Sequence, residues 1–353
     1  MTPADAVLIL MFLGLTAYAL FGGADFGAGF WDLLAGIGNR GRARRRLIED
    51  TIGPVWEANH VWLIFALVLV WTGFPPVFAA VASTLYIPLT LAAFGIILRG
   101  SAFAFRNSMH GLALEPVFAR IFGLSSILTP FFLGTVAGSV ASGRVPPGNA
   151  AGDVITAWLN PTSTLAGGLA VGICAYLAAV YLTADAQRSR DVEFAESYRR
   201  RALITGVAVG GIALAGIGVL TADAPRLAVG LFGRGLPLLV ASTLGGTGSL
   251  LLLQRRRYRL ARITAGVAVA GVLLGWAVAQ YPFLLVGHLT VADAAASPAT
   301  LSALLIALLV GAVLVLPSLA WLYLLSQRAG RATTTERYST SQAGASRTDT
   351  RHP

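Results

Sequence analysis

Two carboxylates and one imidazole stand inside long apolar stretches of this 353-residue sequence. Asp25 follows a glycine pair in the first stretch, and Glu57 and His60 lie near the start of the second. A spacing of three residues places Glu57 and His60 on one face of a helix. Ionisable groups are costly inside a membrane, and groups of these types can bind a proton and pass it on. We therefore predict a proton pathway through Asp25, Glu57 and His60.

Each of these residues also has a structural interpretation. Asp25 could be a hydrogen-bonded carboxylate in a helix contact, and Glu57 could pair with an arginine of a loop. His60 could be a polar link between helices or supply one axial ligand to a haem. A second histidine within the apolar stretches is missing, so we do not expect this chain alone to hold a haem between two histidines. The single cysteine, Cys174, gives no basis for a metal site.

Other residues of the same stretches are expected to support the pathway. Gly23 and Gly27 are four residues apart and leave one face of the first helix open to a neighbouring helix. Trp56 and Asn59 belong to the segment that carries the second acid. Arg99 lies at the end of a later apolar stretch, where it could extend to a lipid phosphate or, as we slightly prefer, neutralise an acid within the membrane.

Nine apolar stretches can position these side chains in a bilayer. Hydrophobic residues make up 56% of the chain and charged residues 12%, a composition more apolar than that of soluble domains. A spanning helix needs about 20 apolar residues. We predict an all-α polytopic membrane protein with nine transmembrane helices in residues 1–327, followed by a disordered cytoplasmic tail in 328–353. The stretches are Ala4–Gly36, Pro54–Phe74, Val77–Leu98, Pro116–Ala141, Thr162–Ala184, Ala202–Ala222, Leu236–Leu253, Ile263–Tyr281 and Ala299–Ser326.

The arginines predict the orientation of these helices. All 26 basic residues are arginine, and only Arg144, Arg226 and Arg234 fall in the segments on one side of the predicted membrane. Loops rich in arginine face the cytoplasm, so the N-terminus is expected outside and the C-terminus inside. The net charge of +10 is therefore a topology signal, and with no soluble basic domain it does not indicate nucleic-acid binding.

Several motifs resemble those of subunit II of the cytochrome bd-type quinol oxidases. The resemblance lies in Gly23-Ala24-Asp25-Phe26-Gly27, in Gly53-Pro54-Val55-Trp56-Glu57-Ala58-Asn59-His60-Val61-Trp62, and in Arg99-Gly100-Ser101-Ala102-Phe103. Asn160-Pro161 and Tyr281-Pro282-Phe283 also fit this family. The likeness extends from the N-terminus to about residue 326 and leaves out the tail.

The resemblance implies two four-helix bundles plus one peripheral helix, in the cytoplasmic membrane of a bacterium. It implies a heterodimer with subunit I, which would hold haem b and haem d and oxidise the quinol substrate. No cofactor is then expected on this chain alone, although some members of the family hold a structural quinone. Small accessory subunits and membrane lipids are further possible partners. The family also assigns subunit II acids a role in proton delivery, which corresponds to Asp25 and Glu57 here.

Two other classes of function are compatible with acids inside membrane helices. An ion-coupled secondary transporter also places acids in glycine-bearing helices near the middle of the membrane. The glycine-bearing acid motif of the first stretch has no evident counterpart in a later half of the chain, which counts against a transporter. In a purely structural assembly subunit, Asp25 and Glu57 would only hold helices together.

Overall fold

The computed structural model describes residues 2–36, 56–108, 115–189 and 191–315, together with isolated positions between 41 and 48 and between 317 and 321. Side chains at 56–58, 106–108 and 115 are not among the described ones. The described helices are α1 Pro3–Leu33, α2 Trp56–Gly73, α3 Pro75–Thr84, α4 Tyr86–Ser108, α5 Glu115–Ala141, α6 Pro161–Arg188, α7 Val192–Asp223, α8 Pro225–Phe232, α9 Leu236–Gln254, α10 Tyr258–Gln280, α11 Val291–Ala294 and α12 Pro298–Val315. Strands β1 Phe283–Leu285 and β2 Leu289–Thr290 form one antiparallel hairpin.

The spans confirm an all-α polytopic membrane protein. Eight helices of the described part are long and apolar enough to cross a membrane, and α2 with α3 makes a bent ninth. Most of the chain is therefore transmembrane helix, as the composition predicts. The β1–β2 hairpin, which follows α10, was not predicted.

A sharp bend lies within the second span, between α2 and α3. Its two helices, before and after Phe74, meet at 117°. Pro75 lacks an N–H to continue the first helix and begins the next one. The predicted start of the third stretch, Val77–Leu98, was therefore wrong, because α4 begins only at Tyr86. Pro88 lies in the first turn of α4, where a proline fits without bending the helix.

Helix α7 begins ten residues before the predicted stretch Ala202–Ala222. The side chain of Asp191 caps it by accepting a hydrogen bond from the backbone N–H of Phe194 at 3.1 Å. Glu196 and Arg199 then pair at 2.6 Å one turn apart. This charged segment is the polar beginning of a helix that is apolar enough to span the membrane.

Ion pairs at the two ends of the spans show that α5, α6 and α7 alternate in direction. At one end Asp223, the last residue of α7, pairs with Arg144, which follows α5, at 2.5 Å. It also accepts a hydrogen bond from Thr162 at the start of α6. At the other end, Asp185 near the end of α6 pairs with Arg262 near the start of α10 at 3.1 Å. We call the second end the arginine-rich end and the first the opposite end.

Helix α6 lies at the centre of the first unit of the chain, Met1–Ser297. It packs against α1, α5, α7 and α10, and its residues from Cys174 to Val180 are almost all fully buried. Trp31 of α1 donates from its indole nitrogen to the carbonyl of Ala175 at 2.8 Å. These interactions fix α1, which carries Asp25, against the core.

The second unit, Pro298–Pro353, contains α12. Residues of the predicted tail, 328–353, lie outside the described part of the chain. The division into a membrane domain and a disordered tail stays a prediction. The same holds for the arrangement as two four-helix bundles plus one peripheral helix.

Candidate functional site: a buried aspartate–arginine pair

Asp25 and Arg99 form an ion pair in the interior of the protein. The Arg99 guanidinium donates to both carboxylate oxygens, with Nη2 2.6 Å from Oδ1 and Nη1 3.0 Å from Oδ2. Nη2 also lies 3.2 Å from the backbone carbonyl of Asp25. The two side chains, Arg99 and Asp25, are only 2% and 3% exposed. Such a two-pronged, charge-assisted interaction is the strongest pairing available to a buried carboxylate.

The remaining surroundings of Arg99 suit a buried cation. Its Nε donates to the hydroxyl of Ser126 at 3.0 Å, and that hydroxyl donates to the carbonyl of Phe122 at 2.7 Å. The rings of Phe26 and Phe122 lie 4.9 and 4.8 Å from the guanidinium carbon. Ring faces attract a cation, and the attraction increases where water is excluded. The charge of Arg99 is thus compensated on several sides within one pocket from α1, α4 and α5.

Glycines of α1 allow these helices to come close enough. A Cβ at Gly27 would collide with the carbonyl oxygen of Cys174 and lie 2.8 Å from the Cβ of Ala178. A Cβ at Gly29 would collide with the hydroxyl of Ser126, the group that holds Arg99. Gly23 is less crowded, because its nearest neighbour would be Leu177 at 3.5 Å. The glycine face of α1 therefore packs on α6 at Gly27 and on α5 at Gly29.

His60 lies beside the pair on α2. Its ring centroid is 6.0 Å from that of Phe26, the residue after Asp25, and 6.0 Å from that of Tyr18. Asn59 donates from Nδ2 to the carbonyl of Phe21 at 3.3 Å, which joins α2 to α1. The structure therefore brings three predicted residues, Asp25, Arg99 and His60, into one region of the molecule.

The structure describes only the backbone of Glu57 and Trp56. Both belong to the first turn of α2, but their side chains lie outside the described ones. Glu57 precedes His60 by three residues, and this spacing puts the two on one face of α2. The roles of Glu57 and Trp56 therefore stay predictions.

Several functional candidates were missed in the sequence. Asp32 is fully buried, lies seven residues after Asp25 on the same face of α1, and is 3.9 Å from Arg45. Ser126 and Thr129 lie on α5 in an apolar run, where only their polarity marks them. The hydroxyls of Thr129 and Tyr18 are buried and have no hydrogen-bond partner among the described atoms. Buried polar groups of this kind are the usual partners of internal water.

The described residues do not fit a haem held by two histidines. His60 is the only histidine within the described spans, and its ring is in contact with aromatic residues. His288 lies beyond α10, in the turn of the β1–β2 hairpin. In the described part of the chain, no group of three or more His, Cys, Asp or Glu side chains could hold a metal ion.

Comparison with known sequences decides the family. The family model for cytochrome bd terminal oxidase subunit II matches residues 4–326. The chain belongs to this family. Its membership agrees with the motifs around Asp25, Glu57 and Arg99, and it does not favour a secondary transporter.

Individual relatives of the cytochrome bd subunit II family show how far the similarity extends. Cytochrome bd ubiquinol oxidase subunit 2 of Bacillus subtilis (strain 168) is 31% identical over 132 residues, 37% of this chain and 38% of that protein. Cytochrome bd-I ubiquinol oxidase subunit 2 of Escherichia coli (strain K12) is 27% identical over 217 residues, 58% of this chain and 54% of that protein. The matches thus span less than two thirds of either relative.

A solved structure extends the likeness to almost the whole fold. One chain of the bd oxidase from Geobacillus thermodenitrificans superposes with a TM-score of 0.71 at 28% sequence identity. The alignment covers 91% of this chain and 98% of that chain. The helical architecture described above is therefore that of a bd oxidase chain.

Proposed function

We propose that this chain is a haem-free subunit of a bacterial membrane complex that oxidises quinol and reduces oxygen to water. Its family and the names of its relatives support this proposal. In it, a partner subunit I holds haem b and haem d and binds the quinol. The present chain forms the heterodimer with that partner and helps to bring protons to the oxygen-reducing site. Small accessory subunits are compatible with this arrangement.

The observation that carries the proton role is the buried Asp25–Arg99 pair with His60 beside it. A buried ion pair adds little stability compared with well-packed apolar side chains, so stability alone is a weak reason to build one. In the proposal, Glu57 and His60 take up and pass on protons along one face of α2. The unpartnered hydroxyl of Tyr18, whose ring lies beside that of His60, would hold water close to that face.

Asp25 has a distinct part in this proposal. Arg99 donates to both carboxylate oxygens of Asp25, so neither oxygen is left without a partner. In the proposal, Asp25 belongs to the path as the carboxylate that holds the Arg99 guanidinium close to His60.

The direction of proton uptake follows from the proposed orientation. We place the N-terminus outside, the C-terminus in the cytoplasm, and the arginine-rich end of the spans at the cytoplasmic face of the bacterial membrane. The arginine bias of the sequence and the alternating direction of the spans support this placement. Protons for water formation would then enter from the cytoplasm, while quinol releases its protons outside.

One purification tests the proposed function. The tagged chain is isolated in mild detergent, and a reduced-minus-oxidised spectrum and quinol-dependent oxygen uptake are recorded. We expect a partner of similar size, absorption bands of haem b and haem d, and oxygen uptake that follows the tag. A colourless protein without a partner, or a coloured complex without oxygen uptake, would reject the proposal.

A further inference from the structure

A cavity of about 540 Å³ lies at the opposite end of the molecule, away from the Asp25–Arg99 pair. It lies beside the contact between α8 and the end of α10, where a Cβ at Gly230 would collide with the carbonyl oxygen of Ala279. Its walls are largely apolar and include Leu227, Phe283 and Val286. The volume falls within the range of about 300–1,000 Å³ that is typical of sites for small molecules.

Two arginines stand at this otherwise apolar cavity, Arg226 on α8 and Arg234 between α8 and α9. The Arg234 guanidinium donates to the carbonyl of Tyr281. The Arg226 guanidinium lies against Gly287, where any added Cβ would collide with it. No carboxylate of the described residues lies within ion-pairing distance of either arginine, whereas Arg144 at the same end pairs with Asp223 at 2.5 Å. The positive charge of the cavity is therefore uncompensated within the described part of the chain.

A second, smaller cavity adjoins the first at Arg226. It has a volume of about 220 Å³, and Ser142 and His288 add polar groups to its wall. Arg226 is also the second residue of α8, and a positive side chain is unfavourable near the start of a helix. Both features favour a negatively charged group beside Arg226.

The position of the cavity at the ends of the spans indicates what carries that negative charge. Helix α8 begins two residues after α7 ends, so Arg226 and Arg234 lie at the end of the spans, where we expect lipid headgroups. Val229 and Phe232 of α8 are 75% and 45% exposed, and they extend the apolar surface beside the cavity. A molecule that fits both the two arginines and the apolar walls of the cavity has an anionic head and an apolar tail.

We infer that Arg226 and Arg234 bind the phosphate of an anionic phospholipid whose acyl chain lies in this cavity. A phosphodiester accepts paired hydrogen bonds from guanidinium groups, which compensates their charge. A quinone head is uncharged and would leave both arginines uncompensated. A phosphatidylcholine carries a cationic group that would lie close to the arginines. This inference does not rest on the oxidase activity of the complex.

The test measures lipid binding by the whole complex with its partner. Delipidated protein in neutral detergent is titrated with dioleoyl phosphatidylglycerol, dioleoyl phosphatidylcholine or inorganic phosphate, and bound lipid is counted by native mass spectrometry while the melting temperature is recorded. The variant is Arg226→Gln with Arg234→Gln. The matched control removes two exposed arginines at the arginine-rich end, Arg255→Gln with Arg257→Gln.

We expect phosphatidylglycerol to bind and to raise the melting temperature of the wild type and of the control. The Arg226/Arg234 variant should need a phosphatidylglycerol concentration higher by roughly a hundredfold, about tenfold for each guanidinium–phosphate interaction that it removes. Equal binding of phosphatidylcholine, or an equal effect of inorganic phosphate, would overturn the inference. Unchanged phosphatidylglycerol binding in the variant would also overturn the inference. If the variant lost the partner subunit and kept the lipid, the arginines would belong to a protein interface and the inference would fail.

Discussion

At the scale of single residues, the Asp25–Arg99 pair is expected to be costly to break. Asp25→Asn leaves the guanidinium buried without its counter-charge, which typically costs about 3–5 kcal/mol. We expect the melting temperature and the yield of assembled complex to fall sharply in this variant. Ser126→Ala removes one neutral acceptor and leaves the ion pair, so its melting temperature should fall less. If Asp25→Asn lowered the melting temperature no more than Ser126→Ala does, the result would contradict a buried ion pair between Asp25 and Arg99.

Replacing the whole pair separates a structural role from a proton role. Asp25→Leu combined with Arg99→Met fills the space with apolar side chains, and such replacements of buried ion pairs are often neutral or stabilising. The double variant should therefore assemble with a normal haem content. If the pair serves proton delivery, quinol-dependent oxygen uptake stays low in that assembled complex. Recovery of both assembly and turnover would show that the pair only joins helices.

Glu57 provides the second residue-scale prediction. Glu57→Gln keeps the shape of the side chain but cannot ionise, and loss of a proton-transferring group typically slows a reaction by about a hundredfold or more. We expect oxygen uptake to fall by about that factor while the haem spectrum is unchanged. The control is Glu193→Gln, which neutralises an exposed acid in the first turn of α7. Full turnover of Glu57→Gln would remove Glu57 from the path.

At the scale of helices, the close approach at Gly27 tests how α1 is held against α6. An alanine there must displace the backbone at Cys174, and such overpacking typically costs about 1–3 kcal/mol. Gly27→Ala should therefore lower the melting temperature of the complex. Gly168→Ala on α6 is the matched control, because an added Cβ meets nothing within 4 Å. The control should be neutral or slightly stabilised, since alanine favours the helix over glycine. Equal stability of the two variants would mean that the approach at Gly27 is not tight.

The helices also show what the sequence predicts and what it does not. Apolar runs and proline positions predict that spans exist, because both follow from the solvent and from backbone hydrogen bonding. They do not predict the 117° bend after α2 or the short helices α3 and α8. An apolar composition does not specify the direction in which a helix runs. The sequence identifies both Asp25 and Arg99 as charged residues that are costly to place within a membrane. Their pairing across 74 residues follows only from the packing of α1, α4 and α5.

The molecule as a whole has one orientation in the membrane, and it decides from which side protons enter. The arginine bias and the alternating spans predict that 143–160 faces outward and that the segment between α6 and α7 faces the cytoplasm. Single cysteines at the two sites, Asn149→Cys and Gln187→Cys, test this with a membrane-impermeant maleimide. Both positions are exposed, and the native Cys174 is buried and should react little.

Intact cells should be labelled at Asn149→Cys, and Gln187→Cys should react only after the membrane is permeabilised. The physical reason is that translocating the arginine clusters across the bilayer is disfavoured, whereas the 143–160 segment carries Arg144 alone. A reversed labelling pattern would place the start of α2, with Glu57, at the outer face. Glu57 and His60 would then be reached by protons from outside, and the proposed cytoplasmic uptake would fail even if the complex reduced oxygen.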